Sequence, residues 1–362
     1  MNRHDAKVGA LTGRLVAAAV AIVLIVMGLA LRGTFDGPDE DTGSATVDSS
    51  SGGDARVLAC TDGLDDVCRT VIPDGWDLRI IPADITSSTE VVEPGGQVAL
   101  WITFGPWDSI RTVDDRTNKR VNTDMPAEGE TIAVSPVVTV AWNDRAEVLT
   151  SACGTEFWTC VRDHAGERWS SFGGDSRWGQ LKVGLASPTS SAFGAAAIAN
   201  YVGDTLGATT YSASRLRDAS VIRAFDSLDS VLRVERSVLS AMITRGAASV
   251  DVAVVTEAEA IDAFRQSGDR ATQVTMAALA PRSFMAVKLV EIGGQSAGDV
   301  RSDLETALID DGAWRDPETL QPATNAATLP FLTDVSQYPT DQGLPAVGVI
   351  EATRQAWVTT AG

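Results

Sequence analysis

The run TIAVSPVVTVAW at 131–142 limits what this chain of 362 residues can become. It is β-rich from end to end, long for a single strand, and broken at its middle by Pro136. A strand of that length with a central break suits a segment that crosses from one lobe to another. The runs before it fit such a chain. RVLAC (56–60), DLRIIPA (77–83) and VALWITF (98–104) are short apolar stretches alternating with helical ones, which predicts a mostly parallel α/β sheet.

After a loop-rich stretch at 143–180 that closes in the turn cluster FGGDSRWGQ, the segment LKVGLASPTSSAFGAAAIANYVGD (181–204) reads as strand, polar loop and Ala-rich helix. Helix N-termini carry unpaired N–H groups, and hydroxyl residues cap them well. Residues 215–245 read as helix, with Leu216, Val221, Phe225, Leu228, Leu232 and Leu239 at three-to-four spacing. VDVAVVTEAEAIDAF is a strand entering a helix. QVTMAAL and SFMAVKLVEI read as strands returning to the first lobe, and two helices near 297–314 and 344–358 finish the chain. The expected division is 56–135 with 276–362 as the first lobe and 136–275 as the second.

Ahead of this folded part, seventeen residues without a charge, LVAAAVAIVLIVMGLAL (15–31), lie between Arg14 and Arg32. That is the short end of the membrane-spanning range. Arg3, Lys7 and Arg14 precede it with Asp5 opposing, so residues 1–14 are expected in the cytoplasm as the tail of a single-pass anchor. A cleaved signal peptide is the rival reading. Residues 32–55, rich in Gly, Ser, Asp and Thr, read as a flexible tether, which puts the main domain outside the membrane.

Cys60, Cys68, Cys153 and Cys160 all fall in that external part, and an even count there favours two disulfides. Three connectivities are possible, of which the local pairs 60–68 and 153–160 are the simplest. Were Cys60 and Cys68 on one helix they would stand about 12 Å apart, too far to bridge, so Cys60 belongs at a strand end with the chain turning back. A zinc site lacks a close Cys-x-x-Cys or a neighbouring His.

Net charge is −19, with 29 basic against 48 acidic residues and no basic cluster, which argues against a nucleic-acid partner. Catalysis is equally poorly provided for. The two histidines are His4 and His164, and His164 sits in the charged stretch CVRDHAGER. Ser176 lacks the glycines of a nucleophile elbow, and no phosphate loop, dinucleotide fingerprint or metal-ligand spacing is present. The expectation is a protein that is not an enzyme and carries no cofactor.

The order of VALWITFGPWDSI, TIAVSPVVTVAW, WGQLKVGLASPTSSAFGAAAIANYVG and LETALIDDGAWRD…GLPAVGVIEATRQAW over most of 56–362 resembles bacterial extracellular solute-binding proteins of the type II periplasmic-binding class. It looks most like the molybdate-binding-like branch and the actinobacterial forms often joined to a von Willebrand factor A domain; no such domain follows in this sequence. The resemblance implies two α/β lobes joined by two crossings, with a small polar solute held between them, for a membrane transporter or a cell-surface protein partner. A ligand-free interaction module of the same fold is the alternative.

Carried over by position, the cleft residues are Thr61 and Asp62 after the first strand and Thr103, Trp107, Asp108 and Ser109 after the third. Ser135 stands at the crossing, Ser187, Thr189, Ser190 and Ser191 in the far lobe, and Thr256, with Glu257, at the end of a later strand. Each has a plainer use. The hydroxyls and both aspartates are good helix caps, and Trp101, Trp158, Trp169 and Trp178 are packing residues. Asp62, Asp65, Asp66 and Asp108 would repel an oxyanion, so a ligand with a positive or neutral donor-bearing group is expected.

Overall fold

A computed structural model describes residues 56–82, 91–92, 97–118, 125–310, 312–321 and 343–361. The tail, anchor and tether expected at 1–55 lie outside the described residues. Among the described residues no helix is long and apolar enough to cross a membrane.

The long run becomes one strand, β4 (Glu130–Trp142), following β1 (Arg56–Thr61), α1 (Asp65–Val71), β2 (Asp77–Ile81), β3 (Gln97–Gly105) and α2 (Trp107–Asn118). Beyond it come α3 (Asn143–Cys153), α4 (Phe157–Asp163), β5 (Val183–Leu185), α5 (Ala192–Leu206) and α6 (Ala219–Val231). Then follow β6 (Leu232–Val234), α7 (Val238–Arg245), β7 (Val252–Thr256), α8 (Glu257–Ser267) and β8 (Val274–Ala278). The chain closes with β9 (Phe284–Glu291), α9 (Asp299–Glu305) and α10 (Val347–Ala361).

Two lobes share β4. Its first half, through Pro136, pairs antiparallel with β9, and its second half, from Val137, pairs antiparallel with β7 and β8. The first sheet runs β2-β1-β3-β9-β4 and the second β6-β5-β7-β4-β8. Each lobe therefore has the same plan: a parallel trio with its first strand central, then an antiparallel strand arriving from the other lobe, then a last strand. The two crossings touch where Val137 N donates to Ser283 O at 2.9 Å. This is the α/β, two-lobed, twice-crossed arrangement that the resemblance implies.

Both sheets are covered on both faces, as near-continuous apolar strands require. Leu58, Leu100, Ile102 and Leu289 face α1 and α9 with Val300 and Leu304. Val57, Ala59, Trp101 and Val290 fill the opposite face. In the second lobe Val138, Val140 and Val255 meet α7 and α8, while Val137, Val252 and Val254 meet the helices that include α5 and α6.

Four features differ from the sequence expectation. The sheets are mixed rather than mostly parallel: among the described strands four pairings are parallel and four antiparallel. The helix read over 215–245 is α6, the edge strand β6 and α7, because Leu232 keeps the apolar spacing while serving a sheet. The boundary expected at 275/276 falls instead at 279–283, since β8 pairs with the second-lobe half of β4. The terminal helix α10, expected with the first lobe, packs against α2, α5 and α6. There Trp357 meets Phe225 edge-on at 5.5 Å and, with Ile350, completes the second lobe's core.

Both local disulfides form. Cys60 near the end of β1 bonds Cys68 in α1, with Cα atoms 6.4 Å apart, and Cys153 bonds Cys160 at 5.5 Å. The tryptophan-rich stretch is mainly packing. Trp158 and Trp169 are fully buried, and Trp169 Nε1 donates to Asp251, a buried carboxylate also held by Lys182 at 3.0 Å and Arg145 at 3.4 Å.

Candidate functional site

The carboxyl ends of the parallel strands in both lobes point at a common space, the usual place for a ligand in open α/β sheets. A cleft of about 1180 Å³ occupies it. The first lobe contributes Asp62, Asp65, Asp66 and Phe104, and the second Ser187, Ser190, Ser191, Arg236, Thr256 and Glu259. The cleft continues along the groove between α7 and α8, past Leu239, Ile243 and Gln266.

The far wall is set by α5. Ser191 caps it, its Oγ accepting from Gly194 N at 3.3 Å, and Gly207 ends it in the left-handed conformation at φ 64°. Gly194 is required by contact: a Cβ there would lie 2.4 Å from Ser187 O and 2.5 Å from Ala186 O. The loop therefore folds tightly onto the helix, leaving Ser190 exposed to the cleft. Ser187 Oγ and Thr189 Oγ1 bond each other at 2.9 Å.

Of the twelve residues expected at a ligand, Asp62, Ser187, Ser190, Ser191 and Thr256 line the cleft. The other seven do not line it. Thr61 Oγ1 donates to Thr103 Oγ1 at 2.8 Å and accepts from Trp101 Nε1 at 3.1 Å, all three being buried beneath the first loop. Trp107 is sunk in the apolar core beside Ile110. Asp108 is buried, and its Oδ2 accepts from Gly129 N at 3.0 Å; desolvation pushes its carboxyl up, with that bond and Lys288 opposing. Ser109 lies in the first turn of α2, its N–H donating to Pro106 O. Ser135 Oγ accepts from Ala258 N at 2.9 Å, capping α8 from the crossing. Thr189 is exposed outside the cleft lining, and its carbonyl accepts from Arg354 at 3.2 Å. Thr256 lines the cleft but spends its Oγ1 on Glu259 N at 3.1 Å.

Glu257 is also turned away from the cleft. Its carboxylate is fully buried and held by one edge of the Arg315 guanidinium, Nε and Nη2, at 2.6 and 2.9 Å. The Arg315 backbone in turn bonds Val134 in β4 in both directions at 2.9 Å. The pair thus ties the first turn of α8 to the first-lobe half of the crossing strand.

Sequence reasoning missed Phe104, Phe193, Glu235, Arg236, Glu259 and Trp314 as cleft residues. Phe104 and Trp314 stack at 6.2 Å under the loop that carries Gly63. Glu235 and Arg236 follow β6, the strand hidden inside an apparent helix. A usable sign was Ser237, a hydroxyl at the start of α7, which marks a helix beginning there.

The cleft is acidic: Asp62, Asp65, Asp66, Glu235, Glu259 and Asp262 stand against Arg236 and Arg270. Partial desolvation in the cleft, with Asp262 beside it, pushes the Glu259 carboxyl up to about 7. The folded chain therefore holds this proton more tightly than the unfolded chain does. Stability from the protonated form is lost as pH rises from the ordinary 4.5 through about 7. Glu259→Gln is expected to match the parent's melting temperature at pH 4 and exceed it at pH 8. Parallel melting profiles across that range would show the carboxyl is not perturbed.

No protein-family model matches the sequence, and no curated protein matches it. Among solved structures, the chain is similar to iron-bound HitA from Pseudomonas aeruginosa, at 10% identity over 85% of this chain and 98% of that one, with a TM-score of 0.49. It is similar to the periplasmic binding protein AfuA from Actinobacillus pleuropneumoniae, described with fructose-6-phosphate bound, at 12% identity, 84% and 96% coverage and a TM-score of 0.46. The sulfate-binding protein SubI from Mycobacterium tuberculosis gives 14%, 70%, 80% and 0.43. These proteins are what the chain is similar to; its two-lobed α/β architecture stands on the strand order repeated within it.

Proposed function

We propose that the chain is an extracytoplasmic solute-binding protein, held at the membrane by residues 15–31, that captures a small polar ligand between its lobes. It passes the ligand to a membrane transporter or reports it to a cell-surface partner. The observation that carries this reading is the cleft, formed where strand ends of both lobes converge and lined by polar groups from each. Closure of the lobes on a ligand is the mechanism, and no covalent step is involved.

The charge of the cleft refines the ligand class. Six carboxylates against two arginines disfavour the oxyanions suggested by the molybdate-binding-like resemblance and favour a cationic or neutral donor-bearing ligand. A thermal-shift screen of the purified chain against amines, amino acids, sugars, divalent cations and oxyanions tests both points. Binding to the folded state alone adds about 2.7 kcal/mol at a hundredfold excess over Kd. A shift is expected with a cationic or neutral ligand, weakened about tenfold in affinity by Ser190→Ala or Glu259→Gln. No shift with any class would remove the ligand-capture reading, and a shift confined to oxyanions would remove the charge argument.

A further inference from the structure

The rim of the cleft carries an ion pair that joins the two lobes. Asp62 follows β1 in the first lobe, Arg236 lies between β6 and α7 in the second, and the guanidinium meets Asp62 Oδ2 at 2.5 Å. The residues are 174 apart in sequence. Among the described residues each is the other's ion-pair partner and neither has a second one. Glu235, the neighbouring acid, is engaged instead by Arg245 on α7. At the opposite end of the cleft the lobes are tied by Ser135 to α8 and by Arg315 to Glu257, beside the strands that cross. The two ties differ in kind. The one at the crossings is buried, whereas at the rim the Arg236 side chain is 88% exposed and that of Asp62 37%.

We infer that Asp62 and Arg236 form an electrostatic latch that holds the lobes together at the cleft rim and so sets the ease of ligand entry. The contact exists in the approached arrangement of the lobes and is broken when the rim widens. A contact made in one of two states shifts the population towards that state by its differential free energy. An exposed pair contributes little, a two- to fivefold change in the closed-to-open ratio at about its upper limit, and salt screens it. The latch is therefore weak enough for a ligand to open. The inference takes lobe movement from the proposed function, but its test needs no ligand.

Spin labels on Asp74→Cys in the first lobe and Arg223→Cys in the second report the interlobe distance in the full chain, the four native cysteines being bonded in pairs. At low ionic strength the parent is expected to favour the shorter distance, and about 1 M salt to lengthen it. Arg236→Gln is expected to show the longer distribution at low salt and to lose the lengthening with salt, screening now only easing the repulsion between the acidic walls. The exchange Asp62→Arg with Arg236→Asp is expected to restore the short distance. An Arg236→Gln distribution identical to the parent's, or one that keeps the parent's salt response, overturns the latch. A single distance in every variant and at every salt concentration overturns the latch and lobe closure together. An empty ligand screen with a salt-responsive distance overturns ligand capture alone.

Discussion

Arg315→Met is expected to lower the stability of the chain by about 3–5 kcal/mol, the usual cost of leaving one member of a buried ion pair alone. Methionine keeps most of the apolar bulk, so the loss falls on Glu257 and, to a lesser degree, on the Leu320 carbonyl that Arg315 Nη1 also bonds at 2.9 Å. That carboxylate is completely buried and takes two guanidinium bonds at 2.6 and 2.9 Å. Desolvating a charge is tolerable while those bonds stand and costly once they go. Urea unfolding of the parent, of Arg315→Met and of Glu257→Gln with Arg315→Met gives the comparison. The double variant should recover much of the loss, because it removes the stranded charge as well as the cation. A single-variant loss under about 1 kcal/mol, or a double variant no better than the single, would show that the pair does not hold α8 to the crossing strand.

Gly194→Ala is expected to cost about 2–3 kcal/mol, an overpacking penalty at the high end for one methyl group. Alanine would normally favour a helix over glycine by about 1 kcal/mol, so the sign itself is diagnostic. The new Cβ would meet two backbone carbonyl oxygens, of Ser187 and Ala186, and backbone cannot turn aside as a long side chain can. Relief would require the loop 186–191 to lift from α5, and that loop carries Ser187, Ser190 and Ser191 into the cleft. Thermal melting together with ligand titration separates the effects. A variant as stable as the parent would mean that the loop moves freely and that the far wall is not preorganised.

Sequence periodicity reported the fold where elements were long or sharply bounded. β4 was legible because its apolar run and Pro136 together have few other uses, and β7 into α8 because an unbroken apolar run meets a Thr cap. The edge strand β6 was not legible. Three residues carry no period of their own, and Leu232 fits the helical spacing of Phe225 and Leu228 equally well. α10 was assigned to the first lobe alone because its apolar stripe states that it packs, not on what; it meets α2 of 56–135 and also α5 and α6.

The candidate site was legible in its loops and illegible in its side chains. Asp62 and Ser190 reach the cleft, whereas Thr61, one residue before Asp62, is buried against Thr103. Successive residues at a strand end point to opposite faces, and a motif of hydroxyls does not say which of them the turn will expose. Arg236 was beyond reach for another reason: its importance comes from Asp62, which stands on the other lobe.

The interleaving of the two sheets bears on the order in which the chain matures as it is made. The second sheet is drawn entirely from residues 137–278, so it can close as soon as β8 appears. The first sheet begins earlier but is gapped until β9 arrives, because residues 284–291 lie between β3 and β4. The lobe that emerges first is thus completed second, and β3 and β4 keep open edges facing each other until then. Such edges are pairing sites for any passing strand. During synthesis this chain needs its first third kept apart from other strands until its last third supplies the missing one.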